Sequence, residues 1–270
     1  KRGEPCRIVN ARIGIFYRDP QSGENRLAIN STTPGAGSHG AAILIDYLKH
    51  HSAVLPLPEG SGGWDIIETS PGRLLFESLA PLNLITVDTA KPAVDKSSVT
   101  PVPATQYAWR FTRGSDGWIY FGSYPTCHAY RYNPQNNAVE DLGFMGPEGN
   151  LYLRHIGITA DGWLLCSVGV EKKAVVAYEV ATKKQQVVVD GQSPFLVPVA
   201  GEVYATISGE LQRFDSAAKS FVKPNLPAPP TGEKWTWILP TSTTANKVLR
   251  AGDGQYYQIK NGGAPRLVWN

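Results

Sequence analysis

The sequence predicts an all-β fold, a β-propeller of about six four-stranded blades. Four short strands joined by turn residues cover residues 108–142, and the same pattern returns over residues 155–189. A glycine marks the first turn of successive blocks, with spacings of 45, 45 and 39 residues along the chain. These glycines are Gly72, Gly117, Gly162 and Gly201. Repeats of about 40–50 residues with four strands each are typical of β-propellers.

A second marker gives the same number of repeats. The third strand of successive repeats ends at or near residues that favour chain reversal. These positions are Asp46, Asp88, Asn133, the vicinity of Val180, Asp215 and the vicinity of Asn261. We therefore predict one propeller domain over residues 1–270. Its approximate blades are 7–58, 59–104, 105–146, 147–190, 191–230 and 231–270.

Individual strands are apolar on both faces, as in Trp118–Phe121 and Val175–Tyr178. A half-exposed strand alternates apolar and polar residues, whereas a strand buried on both faces reads as a continuous apolar run. Blades that stack face to face bury their middle strands in this way. A two-sheet sandwich explains the strands but not the nearly constant period.

The first repeat is the least regular. Its turn at residues 19–23 resembles the late-strand turn at residues 133–135, since both combine Asp or Asn with Pro and Gln. We interpret the first turn as a late-strand turn too, which predicts that the chain begins inside a blade. Six and seven blades both remain open on this evidence.

Composition limits the classes of partner. The formal net charge is only +3, without a polybasic segment, so we expect no nucleic-acid partner. No run approaches the ~20 apolar residues of a membrane-spanning helix, and we expect no membrane span. Three cysteines, Cys6, Cys127 and Cys166, lack zinc-site spacing and lie far apart, so we predict no disulfide and a buried Cys166. We assign no metal ligands, and the sequence identifies no cofactor.

Propeller topology predicts where polar residues gather. In a propeller, one side holds the loops between the second and third strands of each blade and the links from one blade to the next; we call it the loop-bearing side. The turns between first and second strands, and between third and fourth strands, lie on the opposite side. The position eight residues before successive turn glycines holds Trp64, Trp109 and Arg154. Further candidates on this side are His39, Tyr124, His128, His155 and Trp235. For each Trp and His, structural packing is the competing interpretation.

Residues 116–125, 128–134 and 140–143 resemble blades of secreted bacterial propellers in the broad quinoprotein-like and SMP-30-like assemblage. The resemblance covers about two blades, residues 105–190, and some propellers of this architecture are polysaccharide lyases or glycosidases. It implies a propeller fold and a secreted or periplasmic location. It carries no catalytic residues across, because no catalytic signature of the family recurs here.

We predict a carbohydrate-active propeller, a lyase acting on a uronate-containing polysaccharide, with a poly- or oligosaccharide as its partner. Such chemistry needs a cation for the sugar carboxylate, a base for the C5 proton and an acid for the leaving oxygen. Arg154 is the candidate cation, His128 or His155 the base, and Tyr124 the acid. The candidate substrate-binding residues are Arg154, His39, Trp64, Trp109 and Trp235. The alternatives are a non-catalytic carbohydrate- or protein-binding scaffold and a metal-dependent hydrolase or lactonase of the six-bladed type.

Overall fold

A computed structural model of the chain describes residues 10–32, 39–58, 60–170, 172–225, 236–237, 246–250, 256–260 and 266–269. The strands of these residues form six four-stranded antiparallel sheets. Within each sheet the strands are neighbours in the order in which the chain makes them. Each sheet is therefore an up-and-down meander, as predicted. By internal packing the chain divides into two compact units, Lys1–Trp109 and Arg110–Asn270.

Sheets 1 and 2 are made by the first half of the chain. Sheet 1 contains β1 (Asn10–Arg18), β2 (Asn25–Thr32), β3 (Gly40–Asp46) and β4 (His51–Pro56). Sheet 2 contains β5 (Ser61–Ser70), β6 (Arg73–Leu79), β7 (Asn83–Asp88) and β8 (Val99–Pro101). A 3₁₀ turn at Lys96–Ser98 precedes β8, and the Asp95 side chain caps it by accepting hydrogen bonds from two backbone amides.

Sheets 3 to 6 follow in chain order. Sheet 3 contains β9 (Tyr107–Arg113), β10 (Ile119–Tyr124), β11 (His128–Tyr132) and β12 (Val139–Phe144); sheet 4 contains β13 (Leu153–Ile158), β14 (Trp163–Val168), β15 (Ala174–Glu179) and β16 (Lys184–Asp190). Sheet 5 contains β17 (Leu196–Val199), β18 (Glu202–Ile207), β19 (Glu210–Asp215) and β20 (Ser220–Val222); sheet 6 contains β21 (Thr236–Trp237), β22 (Asn246–Arg250), β23 (Tyr256–Lys260) and β24 (Arg266–Trp269).

The four marker glycines occupy equivalent turns. Each joins the first and second strands of its sheet, in sheets 2, 3, 4 and 5. Their φ angles are +74°, +82°, +89° and +82° for Gly72, Gly117, Gly162 and Gly201. Glycine adopts this left-handed conformation without the steric cost that a Cβ imposes. The predicted equivalence of these turns is confirmed.

The turn at residues 19–23 joins β1 to β2 and is therefore the first turn of sheet 1. Our interpretation of it as a late-strand turn was wrong. The Asp19 carboxylate accepts hydrogen bonds from the backbone amides of Gln21 and Ser22, and Asn133 accepts one in the same way from Gln135. This local chemistry reverses a chain between any two strands, so it does not reveal which hairpin of a sheet it closes.

Middle strands carry the core, as their unbroken apolar sequences predicted. All residues of β14 are buried and only the first residue of β6 is exposed, whereas the outer strand β16 is exposed along most of its length. One apolar cluster, which includes Tyr120 and Cys166, joins sheets 3 and 4. Another, which includes Trp163 and Phe214, joins sheets 4 and 5. Sheet 4 is thus packed on both faces.

No helix in the described part of the chain is long and apolar enough to cross a membrane.

Candidate functional site

The candidate residues fall at the strand starts and loops that topology predicted. Trp64, Trp109, Arg154 and His155 lie in first strands, β5, β9 and β13. Tyr124 ends β10 and His128 begins β11, so both flank the second loop of sheet 3, while exposed His39 immediately precedes β3. Trp235 lies outside the described residues.

A hydroxyl clamp shapes the loop between Tyr124 and His128. The Ser123 hydroxyl accepts a hydrogen bond from the backbone amide of His128 at 3.0 Å and donates to its carbonyl oxygen at 2.9 Å. The same hydroxyl lies 2.7 Å from that of Thr126. Cys127 takes a left-handed conformation with φ of +53°, and its carbonyl accepts from the amide of Met145. The loop is therefore fixed at both ends, which holds the two flanking side chains in place.

Tyr124, Tyr152 and Arg154 form a continuous stack. The two tyrosine rings lie 4.5 Å apart between centroids, and the Arg154 guanidinium carbon lies 5.1 Å from the centre of the Tyr152 ring. Tyr152 immediately precedes β13, and Arg154 is the second residue of that strand, so the two side chains are close in the chain as well as in space. Both rings are half-buried and Arg154 is exposed. The structure thus brings two of the predicted residues together through a third, Tyr152.

His155 is half-buried and packed against an aromatic ring. Its imidazole centroid lies 3.9 Å from that of Phe195, whose side chain is 51% exposed. Burial, together with the positive charges of Arg110 and Arg154, lowers the pKa of His155 to about 4. Both influences disfavour the charged imidazolium. The ring is therefore neutral at pH 7, with an available lone pair.

His128 has a different environment. Its Nδ1 lies 2.9 Å from both carboxylate oxygens of Asp141 on β12, the outer strand of sheet 3. Its ring also packs near those of Tyr130 and Phe144. These partners all lie on β11 and β12, so His128 is directed to the outer half of its sheet, away from the first strands that hold Arg154 and His155.

In the first unit, Trp64 and Trp109 stack on each other with ring centroids 5.6 Å apart and an angle of 19° between planes. The backbone amide of Trp64 donates to Glu77 Oε1 at 2.6 Å, and that of Asp65 donates to the same atom at 3.0 Å. Glu77 is fully buried. A buried carboxylate thus pins the start of β5, and this indole pair fits a packing role at least as well as ligand contact.

A groove of about 510 Å³ in the first unit lies elsewhere. It runs along the turn between β5 and β6 and the segment before β8, and its charged lining residues are Arg73, Asp88, Lys91 and Asp95. None of the sequence-predicted residues lines it. Its two carboxylates accept hydrogen bonds within their own loops. Aromatic residues are absent from its lining, so we place the candidate site on the loop-bearing side instead.

The described ranges contain no group of three or more His, Cys, Asp or Glu side chains that could hold a metal ion. Cys127 and Cys166 are both free and buried.

Sequence reasoning missed Arg110 and Phe195 as neighbours of His155, and Asp141 as the partner of His128. A signal for Arg110 was present. It lies seven residues before Gly117, and His155 lies seven residues before Gly162, so the two share one register position on successive first strands. No repeat position in the sequence identifies Asp141 or Phe195, because each contacts its histidine only through the packing of the folded chain.

No protein-family model and no curated protein sequence matches the chain. Among solved structures, it is similar to a streptogramin B lyase, with a TM-score of 0.58 and 13% identity over 97% of this chain and 87% of that chain. It is also similar to a catalytically inactive virginiamycin B lyase from Staphylococcus aureus with quinupristin, with a TM-score of 0.59 and 12% identity over 96% and 87% of the two chains. The Dos1 propeller matches with a TM-score of 0.57 and 9% identity over 80% of this chain and 56% of that chain. At these identities the likeness concerns fold alone: the chain folds as a β-propeller, as the repeats predicted.

Proposed function

We propose that this chain is a carbohydrate-active propeller that binds a uronate-containing saccharide at the stack of Tyr124, Tyr152 and Arg154. The observation that carries the proposal is the stack itself, because it combines ring faces with an exposed guanidinium. The C–H face of a sugar ring packs on an aromatic ring, and its hydroxyls and carboxylate take polar partners. A guanidinium matches a carboxylate in bidentate geometry.

The positions of the loops support this assignment. Tyr124 is held by the hydroxyl clamp of its loop, and Tyr152 lies in the link that leads into β13. Leu151, Val170 and Phe195 lie in loops of the same side and are about half exposed. Rigid strands that present aromatic and apolar loop residues are a common way to build a binding surface. A secreted or periplasmic location belongs to the same proposal.

Cleavage by β-elimination is the catalytic form of the proposal, and neutral His155 is the observation that favours it. In this step His155 takes the C5 proton of the uronate, the C–H electron pair forms the C4=C5 double bond, and the C4–O bond breaks. The leaving oxygen receives a proton from the Tyr124 hydroxyl. His155 is better placed than His128 to be the base, because it follows Arg154 on β13, whereas the partners of His128 lie on β11 and β12 in the outer half of its sheet. Two of the proteins with a similar fold are lyases, which supports this form of the proposal.

The test is calorimetric titration of the chain with a uronate oligosaccharide and with a neutral oligosaccharide of the same length. We expect binding of the uronate only, weakened about tenfold or more in Arg154→Gln, the scale of a lost charged hydrogen bond. The Arg154→Lys variant keeps the positive charge but loses the paired donors of the guanidinium. Its affinity for the uronate should lie between those of the wild type and Arg154→Gln. Equal affinity for both sugars, or for wild type and Arg154→Gln, would overturn the proposal.

A second measurement separates the enzyme from the binding scaffold. Elimination creates a conjugated double bond, so turnover raises the ultraviolet absorbance of the product. We expect His155→Ala to abolish this increase while binding persists. Binding without any increase in the wild type would leave a non-catalytic carbohydrate-binding propeller. If no saccharide binds, a protein-binding scaffold is the better description.

A further inference from the structure

Arg110 and His155 occupy one register position on successive first strands. Arg110 lies in β9 and His155 in β13, each seven residues before the glycine of its first turn. Arg154, next to His155 in sequence, lies where the pairing of β13 with β14 shifts by one residue. The residue that repeats the position of His155 in the preceding sheet is therefore Arg110.

The guanidinium of Arg110 contains an unsatisfied donor. Its Nη1 is buried and has no hydrogen-bond acceptor in the part of the chain that the structure describes. Buried polar atoms without a partner are uncommon in native proteins, and each calls for a specific reason. A ligand that supplies the missing acceptor is such a reason.

The electrostatic surroundings of His155 point to the charge of that ligand. The charged groups that act on the imidazole are Arg110 from β9 and Arg154 from its own strand, and both are cations. The neighbouring segment before β17 contributes Phe195, which has no charge. A half-buried histidine beside two guanidinium groups is electrostatically complementary to an anion.

We propose that Arg110 and His155 form a second anion-binding subsite, which receives a carboxylate or sulfate group. Arg154 and the tyrosine stack receive one acidic sugar, and Arg110 with His155 receives the acidic group of another. The ligand is therefore a polyanionic saccharide with acidic groups on more than one sugar residue. This step rests on the proposed function for the sugar, but the anion site itself stands on Arg110 and His155.

The experiment follows the imidazole resonances of His155 by NMR in the full chain while the pH is varied. Inorganic sulfate is the probe, and sodium chloride at equal ionic strength is the control. A bound anion offsets the two guanidinium charges, so sulfate should raise the pKa of His155 more than chloride does. Arg110→Gln should raise the pKa of His155 without any anion and should abolish the response to sulfate. Arg113→Gln, which removes a charge from the exposed end of the same strand, should leave the response intact.

The outcomes separate this inference from the proposed function. If sulfate raises the pKa of His155 more than chloride does but no uronate oligosaccharide binds, the anion subsite is supported and the proposal of a saccharide ligand is contradicted. Uronate binding that depends on Arg154, with equal effects of sulfate and chloride on His155, overturns the subsite and leaves the proposed function standing. The wild-type comparison of sulfate with chloride decides the matter even if Arg110→Gln does not fold.

Discussion

The ring of Tyr152 lies between the ring of Tyr124 and the guanidinium of Arg154, 4.5 Å from the first and 5.1 Å from the second, measured from the Tyr152 ring centre. Tyr124 ends a strand of sheet 3, whereas Arg154 lies in the first strand of sheet 4. One aromatic ring therefore connects a loop of one blade to the inner strand of the next. The position of Arg154 depends on this ring as well as on its own strand.

Replacement of Tyr152 tests that dependence. Tyr152→Ser removes the aromatic stack and the cation–π contact, each of which contributes about 0.5–1.5 kcal/mol. We expect the affinity for a uronate oligosaccharide to fall about tenfold, as calorimetry would measure it. Tyr152→Phe keeps the ring and should retain affinity within about threefold. An equal loss in both variants would show that the hydroxyl, rather than the stack, matters.

His155 gives the folded state a defined dependence on pH. Its folded pKa is about 4, below the ordinary value of 6.5, so the unfolded chain binds the proton more readily. Stability from this group is complete above pH 6.5 and is lost as the pH falls from 6.5 towards 4. The loss amounts to up to about 3 kcal/mol, since one pKa unit corresponds to 1.36 kcal/mol.

Urea unfolding of the wild type and of His155→Gln, at several pH values between 7 and 4.5, measures this contribution. Carboxylates titrate in both proteins, so only the difference between the two curves reports on His155. We expect the stability of the wild type to decline more steeply than that of the variant. Parallel curves would show that His155 is not held neutral by its surroundings.

Gly122 is a position where two blades of the second unit approach closely. A methyl group placed on it would overlap Cγ and the carbonyl oxygen of Leu153 on β13. Overpacking in a core costs about 1–3 kcal/mol, and backbone cannot move aside cheaply here, so Gly122→Ala should destabilise by about 3 kcal/mol. Gly117→Ala is the control, because a methyl group there meets open space and its positive φ costs about 1 kcal/mol. Chemical denaturation of both variants makes the comparison, and equal losses would contradict the predicted close approach.

The features that could be predicted from sequence are those encoded locally. A turn that needs a positive φ selects glycine, so Gly117 and Gly162 mark equivalent hairpins however the sheets pack. The same counting places Arg154 at the start of a first strand, and it could have singled out Arg110. The Asp19 turn shows the limit of local chemistry, since it reverses the chain without encoding the order of the hairpin.

The partners of the site histidines could not be predicted. His128 meets Asp141 across a strand pair with an irregular register, and His155 meets Phe195 from the link to the next sheet. Both contacts depend on the lengths and paths of the loops between strands, and these loops do not follow the repeat pattern. The irregular pairing of β13 at Arg154 is another feature that the repeat pattern does not encode. The candidate residues were thus predictable as a group, and their pairing was not.

The cysteines provide the last prediction. Cys127 and Cys166 are free and fully buried, and burial raises the pKa of Cys127 to about 12 and that of Cys166 well above its ordinary value. The thiolate is the reactive form, so neither side chain should react with a thiol reagent in the native protein at pH 8. Denatured but unreduced protein should show three free thiols, counting Cys6, which lies outside the described residues.

Cys127→Ala and Cys166→Ala should each remove one thiol from the denatured count and none from the native count. A denatured count of one thiol would reveal a disulfide and overturn the prediction. Rapid reaction of two thiols in the native protein would show instead that the interface of sheets 3 and 4, where both cysteines lie, opens to solvent.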